Sequence, residues 1–113
     1  MKVLEIISSK WNVLTIAALS DGGRHYGEIR RRIEGISQKM LTQTLRQLER
    51  DGLVARCAHP TVPPSVEYEL TPIGHSVLKH LVEMRLWVDL HYHEIEQARM
   101  KYDEESTLLR RNH

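Results

Sequence analysis

Leu41, Leu45 and Leu48 recur at the spacing of one helix face within the stretch "GISQKMLTQTLRQLERDGLV", residues 35 to 54. The opposite side of that helix carries Lys39, Thr42, Gln43, Arg46 and Arg50, with no acid among them. Ser37 stands where its hydroxyl can accept bonds from the free amides of the first turn. Gly52, just after Asp51, supplies a left-handed stop. The pattern predicts a helix over Ser37–Asp51 that is held down on one face and lined with hydrogen-bond donors on the other.

The same reading extends along the chain. Val3–Ile7 predicts a short turn, set apart by Ser8 and Ser9. Lys10–Ser20 predicts a helix closed by the Asp21-Gly22-Gly23 break. Its apolar residues form two stripes, Trp11, Leu14, Ala18, Leu19 and Val13, Ile16, Ala17, as in a helix covered from two sides. A shorter helix is expected over Tyr26–Ile33, with Ile29 and Ile33 inward and Arg30, Arg31 and Arg32 mostly outward, ending at Gly35. Two helices joined by a tight turn containing glycine make a helix-turn-helix unit. Beyond Gly52 the period shortens to two. Val54–His59 and Val66–Leu70 read as strands, joined by a loop, "PTVPPS", that three prolines exclude from helix. Thr71 then caps a helix whose first position is Pro72 and which runs past Arg99. Its apolar residues again form two stripes: Ile73, Val77, Leu81, Met84, Val88 and Leu78, Val82, Leu86, Leu90.

This order predicts a mainly α (α+β) fold, a winged helix-turn-helix with a two-stranded wing and a long C-terminal dimerisation helix. Residues 1–102 are expected to form one DNA-binding and dimerisation domain, and 103–113 a polar, flexible tail. A chain of 113 residues is too small to bury both extra stripes alone. A homodimer is therefore expected, with Trp11, Leu14, Leu78, Val82, Leu86, Trp87 and Leu90 at its interface.

Charge sharpens this picture more than composition does. Residues 24 to 50 hold seven bases against three acids, whereas residues 83 to 105 hold seven acids against three bases. One surface is suited to a polyanion and another is not. The single cysteine, Cys57, precludes an internal disulfide and suits a reducing, cytoplasmic location. No stretch has the length of a membrane span, and the N-terminus lacks a signal-peptide layout.

At "KWNVLTIAALSDGGRHYGEIRRRIEGISQKMLTQTLRQLERDGLV" and "PTVPPSVEYELTPIGHSVL" the chain resembles the HxlR-type transcriptional regulators of bacteria, a branch near the MarR-like winged-helix proteins. The resemblance covers Lys10 to about Trp87 and implies a homodimeric DNA-binding regulator, often responsive to stress or a small metabolite. Two departures matter. Thiol-sensing members carry a cysteine just before the Lys-Trp pair, where this chain reads "MKVLEIISS"; Cys57 lies instead in the first wing strand. The family commonly places arginine after the Pro-Pro of the wing, where this chain has Ser65.

The expected interface follows from base chemistry. A major groove accepts a helix whose outer face offers Arg, Lys, Gln and Thr to base edges. Gln38, Lys39, Thr42, Gln43 and Arg46 lie in the N-terminal part that approaches bases, with Arg46 and Gln43 the expected readers. Ser37, Lys39, Arg50, Arg30 and Arg31 are expected on phosphates, and His59, Thr61 and Ser65 of the wing either bond phosphates or form a rigid turn. The expected partners are double-stranded DNA at a palindromic operator, a second copy of the chain, and a small-molecule effector of unknown identity; repression is favoured, and no membrane partner is expected. Trp11, Trp87 and Tyr92 either line an effector pocket or are simply core. Seven histidines show no metal-ligand spacing, so neither metal nor cofactor is expected, and no nucleophile-base pair or phosphate loop suggests an enzyme. Rival readings are a thiol sensor using Cys57, a winged-helix module that binds protein, and a metal-responsive dimer.

Overall fold

The computed structural model describes residues 9–111. The turn expected at Val3–Ile7 lies outside them. The elements run α1 (Lys10–Ala18), β1 (Arg24–His25), α2 (Tyr26–Arg32), α3 (Gln38–Arg50), β2 (Val54–His59), β3 (Ser65–Leu70) and α4 (Pro72–Arg111). The chain divides into two units, Met1–Leu81 and Val82–His113.

In the first unit, Ile16, Leu19, Ile29, Ile33, Leu41, Leu45, Leu48, Val54 and Leu70 form the core. Each such side chain taken fully out of water stabilises the fold by about 1.5–3 kcal/mol. The three short helices exist because each turns its aliphatic positions toward this one cluster. The sheet has order β1-β3-β2 and is antiparallel throughout. Val54 pairs with Leu70, Arg56 with Tyr68, Cys57 with Glu67 and His59 with Ser65. The two-stranded wing gains a third strand, β1, through Arg24 opposite Tyr68 and His25 opposite Glu67. Two residues are too few to show a period, so the sequence carries no sign of β1.

Ser9 caps α1, its Oγ accepting from the Asn12 amide at 3.4 Å. The buried face of α1 is Asn12, Thr15, Ile16 and Leu19, with Trp11 half-buried against the core. Leu14 and Ala17, expected within apolar stripes, are exposed. Nearly every position of this helix is apolar or small, so the pattern does not choose a face; two polar residues ended up inside. Arg32 is exposed, as expected, but its guanidinium also reaches back along the surface. Its guanidinium donates to the Ala18 carbonyl at 3.1 Å and to the Asp21 carboxylate at 2.8 and 3.3 Å. Arg32, helped by Arg24, lowers the Asp21 carboxyl from its ordinary 3.8 to about 2.

α3 and α4 meet at one joint. Leu53 N–H bonds back to Leu48 O at 2.9 Å, and Gly52 takes the positive φ of 77° that closes α3. Thr71 then donates through its hydroxyl to Gly52 O at 2.6 Å and through its amide to Leu53 O at 3.0 Å. The same hydroxyl accepts from Gly74 N at 3.1 Å, capping α4. Gly74 is buried against Leu53 and Leu70, where a side chain has no room. Val77, Leu78 and Leu81 continue this packing, while Ile73, expected on the inward stripe, is 63% exposed. Capping by Thr71 and the Gly74 contact set the rotation of the first turn, and that rotation turns residue 73 outward.

In the second unit, α4 remains helical to Arg111, past Asp103 where a polar tail was expected to fray. Thr107 bonds back to Asp103 O at 2.9 Å within it. Trp87 and His91 stack with ring centroids 4.5 Å apart. Among the described residues no helix is long and apolar enough to cross a membrane.

Candidate nucleic-acid interface

With about 3.6 residues per turn, Lys39, Gln43, Arg46 and Arg50 fall on one straight stripe of α3. It lies opposite the fully or nearly buried Leu41, Leu45 and Leu48. All four stripe residues are exposed, and none of their side chains has a hydrogen-bond or ion-pair partner among the described residues. Three cations and one amide, with no acid in line, form a ridge of unused donors. The cap at its head is in place: Ser37 Oγ accepts from Met40 N at 3.1 Å, leaving its own hydroxyl hydrogen for another acceptor.

The two edges of α3 differ. On one edge Gln43 and Gln47 flank a small pocket of about 250 Å³ with Asn12, Met40, Thr44 and Ser9. On the other, Gln38, Thr42, Leu45, Arg46 and Glu49 face Tyr26, Arg56 and Tyr68 across a cleft of about 580 Å³. The Tyr26 hydroxyl donates to Gln38 O at 2.9 Å and lies 3.2 Å from Thr42 Oγ1. Thr42, expected to point away from the protein, is therefore half-buried on this second edge. Across the cleft, Arg56 Nε is 3.6 Å from a Glu49 carboxylate oxygen. Sequence reasoning missed Tyr26, Arg56 and Tyr68, because only the strand register brings Arg56 beside Tyr68 and both beside α3.

The other expected contacts are placed as follows. Arg30 and Arg31 are exposed on α2. Thr61 turns its hydroxyl into the wing loop, donating to Pro63 O at 2.7 Å with Ser65 Oγ 3.3 Å away. Cys57 is half-buried on the sheet, its thiol 3.5 Å from Glu69 Oε1. The Glu69 carboxylate, then burial and Glu67, push this thiol above its ordinary value. No group of three metal-ligating side chains is assembled among the described residues. Trp11 is half-buried against the core of its own unit, and Trp87 and Tyr92 are exposed on α4.

The HxlR-like helix-turn-helix model matches residues 6–96. The chain belongs to the HxlR-like family. It is 43% identical over 94 residues to the HTH-type transcriptional regulator YtfH of Escherichia coli, covering 83% of this chain and 75% of the relative. Among solved structures it resembles the transcriptional regulator YtfH from Salmonella typhimurium, with TM-score 0.73, 40% identity, and coverage of 87% of this chain and 88% of that one. It also resembles the redox regulator HypR in its oxidised form, with TM-score 0.71, 38% identity, and coverage of 78% and 91%. As a member of the HxlR-like family, the chain is a helix-turn-helix transcriptional regulator and not an enzyme. Its fold is a winged helix-turn-helix, and its partner is DNA.

Proposed function

We propose that the protein is a homodimeric repressor that binds a palindromic operator by placing α3 of each copy in successive major grooves. The supporting observation is the unpartnered Lys39-Gln43-Arg46-Arg50 stripe, set on a helix whose inner face is fixed by three buried leucines. Arg46 and Gln43 read bases, and Lys39, Arg50, Ser37, Arg30 and Arg31 hold phosphates; Gln38 and Thr42 edge the reading surface, with Thr61 and Ser65 of the wing beyond them. Dimerisation is supported by α4, where Val82, Leu86, Trp87 and Leu90 are exposed apolar positions, and by exposed Leu14 on α1. Trp11 and Leu78, half-buried in their own unit, complete that interface. Two reading helices on a two-fold axis would meet half-sites about 34 Å apart. Such a dimer represses by occupying a promoter, with no further surface required. A small-molecule effector would act by favouring one dimer geometry over another.

A redox reading through Cys57 has less support. The thiolate is the reactive form, and neighbouring carboxylates oppose it.

Binding to duplexes from around its own gene, followed over a salt series, tests the proposal. Selective, salt-sensitive binding by a dimer, lost in Arg46→Ala, is expected. Equal weak binding to every duplex, unchanged by Arg46→Ala, would sink it and favour a protein partner for the α3 face.

A further inference from the structure

The cleft beside α3 is not accounted for by base reading. Its α3 wall carries Gln38, Thr42, Arg46 and Glu49, and its sheet wall carries Arg56 and Tyr68, with Tyr26 contributed by α2. Two guanidinium groups face one carboxylate, so the cleft is net positive. Arg56 and Glu49 are 3.6 Å apart, beyond the 2.7–3.2 Å of a good N–H···O bond, and both are well exposed, at 58% and 40% of their side chains. A pair of this kind is weakly held and exchangeable.

We infer that this cleft is a seat for a DNA backbone phosphate, with Arg56 as its cation and Glu49 as the internal anion that occupies Arg56 until DNA arrives. The inference rests on the DNA-binding reading above. A helix lying in a major groove is bordered by phosphates along its flanks, and the cleft is the sheet-side flank of the reading stripe, sharing Arg46 with it. Phosphate offers guanidinium two parallel charge-assisted bonds, which the loose Glu49 contact does not supply. The exchange is simple: the Arg56–Glu49 contact opens, Arg56 takes the phosphate, and Glu49 turns to water. Glu49 therefore subtracts affinity from every duplex alike, and Arg56 adds to it irrespective of sequence.

The test is binding of an operator duplex and a scrambled duplex by the full chain over a salt series. Wild type, Arg56→Gln, Glu49→Gln and the double variant are compared, with thermal unfolding of each alongside. Arg56→Gln is expected to weaken both duplexes by a similar factor and to make the slope of log K against log salt shallower by about one. Glu49→Gln is expected to tighten both by roughly two- to fivefold, the range of one exposed ion pair. In the double variant that gain disappears. An unchanged salt slope in Arg56→Gln overturns the seat while wild-type selectivity leaves the regulator reading standing. A Glu49→Gln variant that unfolds at lower temperature and binds no tighter also overturns it, making the pair a brace between α3 and β2. Wild type that binds no duplex selectively overturns both readings.

Discussion

The Tyr26 hydroxyl donates to the carbonyl oxygen of Gln38 at 2.9 Å, fastening the start of α2 to the first turn of α3. The first turn of α3 begins the Lys39-Gln43-Arg46-Arg50 stripe, so this phenol adds a tether at its head to the anchoring that Leu41, Leu45 and Leu48 give it. Tyr26→Phe keeps the ring and removes the bond. Urea unfolding should show a loss of about 0.5–1.5 kcal/mol. Operator binding should fall more than binding to scrambled DNA, because a small error in helix pose harms base reading first. Equal loss on both duplexes would show that the bond does not set the pose.

Gln43 and Arg50 share the stripe but should fail differently. Gln43→Ala is expected to cost roughly 1–3 kcal/mol on the operator and almost nothing on scrambled DNA. Arg50→Ala should weaken both and make the salt slope shallower by about one. Anisotropy titrations on the two duplexes separate the outcomes.

Thr15 is fully buried on α1, and its Oγ1 has no hydrogen-bond partner among the described residues. A hydroxyl left unpaired away from water costs about 1–3 kcal/mol. Thr15→Val keeps the shape and removes the group, so it should raise stability by about 1 kcal/mol in urea unfolding. A loss instead would mean that the hydroxyl is bonded in solution.

Gly74 has no such freedom. A Cβ there would overlap the Leu53 carbonyl oxygen and crowd Leu70, both backed by the core. Gly74→Ala, otherwise favourable in a helix, should destabilise by about 1–3 kcal/mol through forced displacement. An unchanged or raised Tm would refute this packing.

Asp21 gives the fold an acid-sensitive point. Its carboxyl lies near 2 in the folded chain against an ordinary 3.8, held down by Arg32 and Arg24. A lowered folded-state value stabilises the ionised form, so the contribution is complete above about pH 4 and is lost as pH falls toward 2. Asp21→Asn should lower Tm at pH 6, and the gap from wild type should close as pH falls through that window. A gap independent of pH would assign the effect to shape rather than charge.

The parts of the fold governed by local rules were legible in the sequence. Ser37 and Gly52 bound α3, and Thr71 and Pro72 place the start of α4, within a residue, because capping and stop signals act over a few neighbours. The alternation of Val66, Tyr68 and Leu70 gave β3 nearly to its ends. What escaped depends on distant partners. α1 is apolar almost all round, so nothing local chose Asn12 and Thr15 over Leu14 for the inside. Arg32 reads as a surface cation until Ala18 and Asp21 are seen beside it. The cleft needs a helix edge, a strand register and Tyr26 together, and no window of the sequence holds all three.

One residue, Thr71, separates β3 from α4, and that residue is bonded to both Gly52 and Leu53 at the end of α3. There is no slack at this joint. A twist applied to the first turn of α4 cannot be taken up by a loop, and passes into the foot of the reading helix as a tilt of its axis. The anchor of α4 and the C-terminal stop of α3 are thus the same few atoms, so a change in how α4 leaves the sheet is felt at the end of α3.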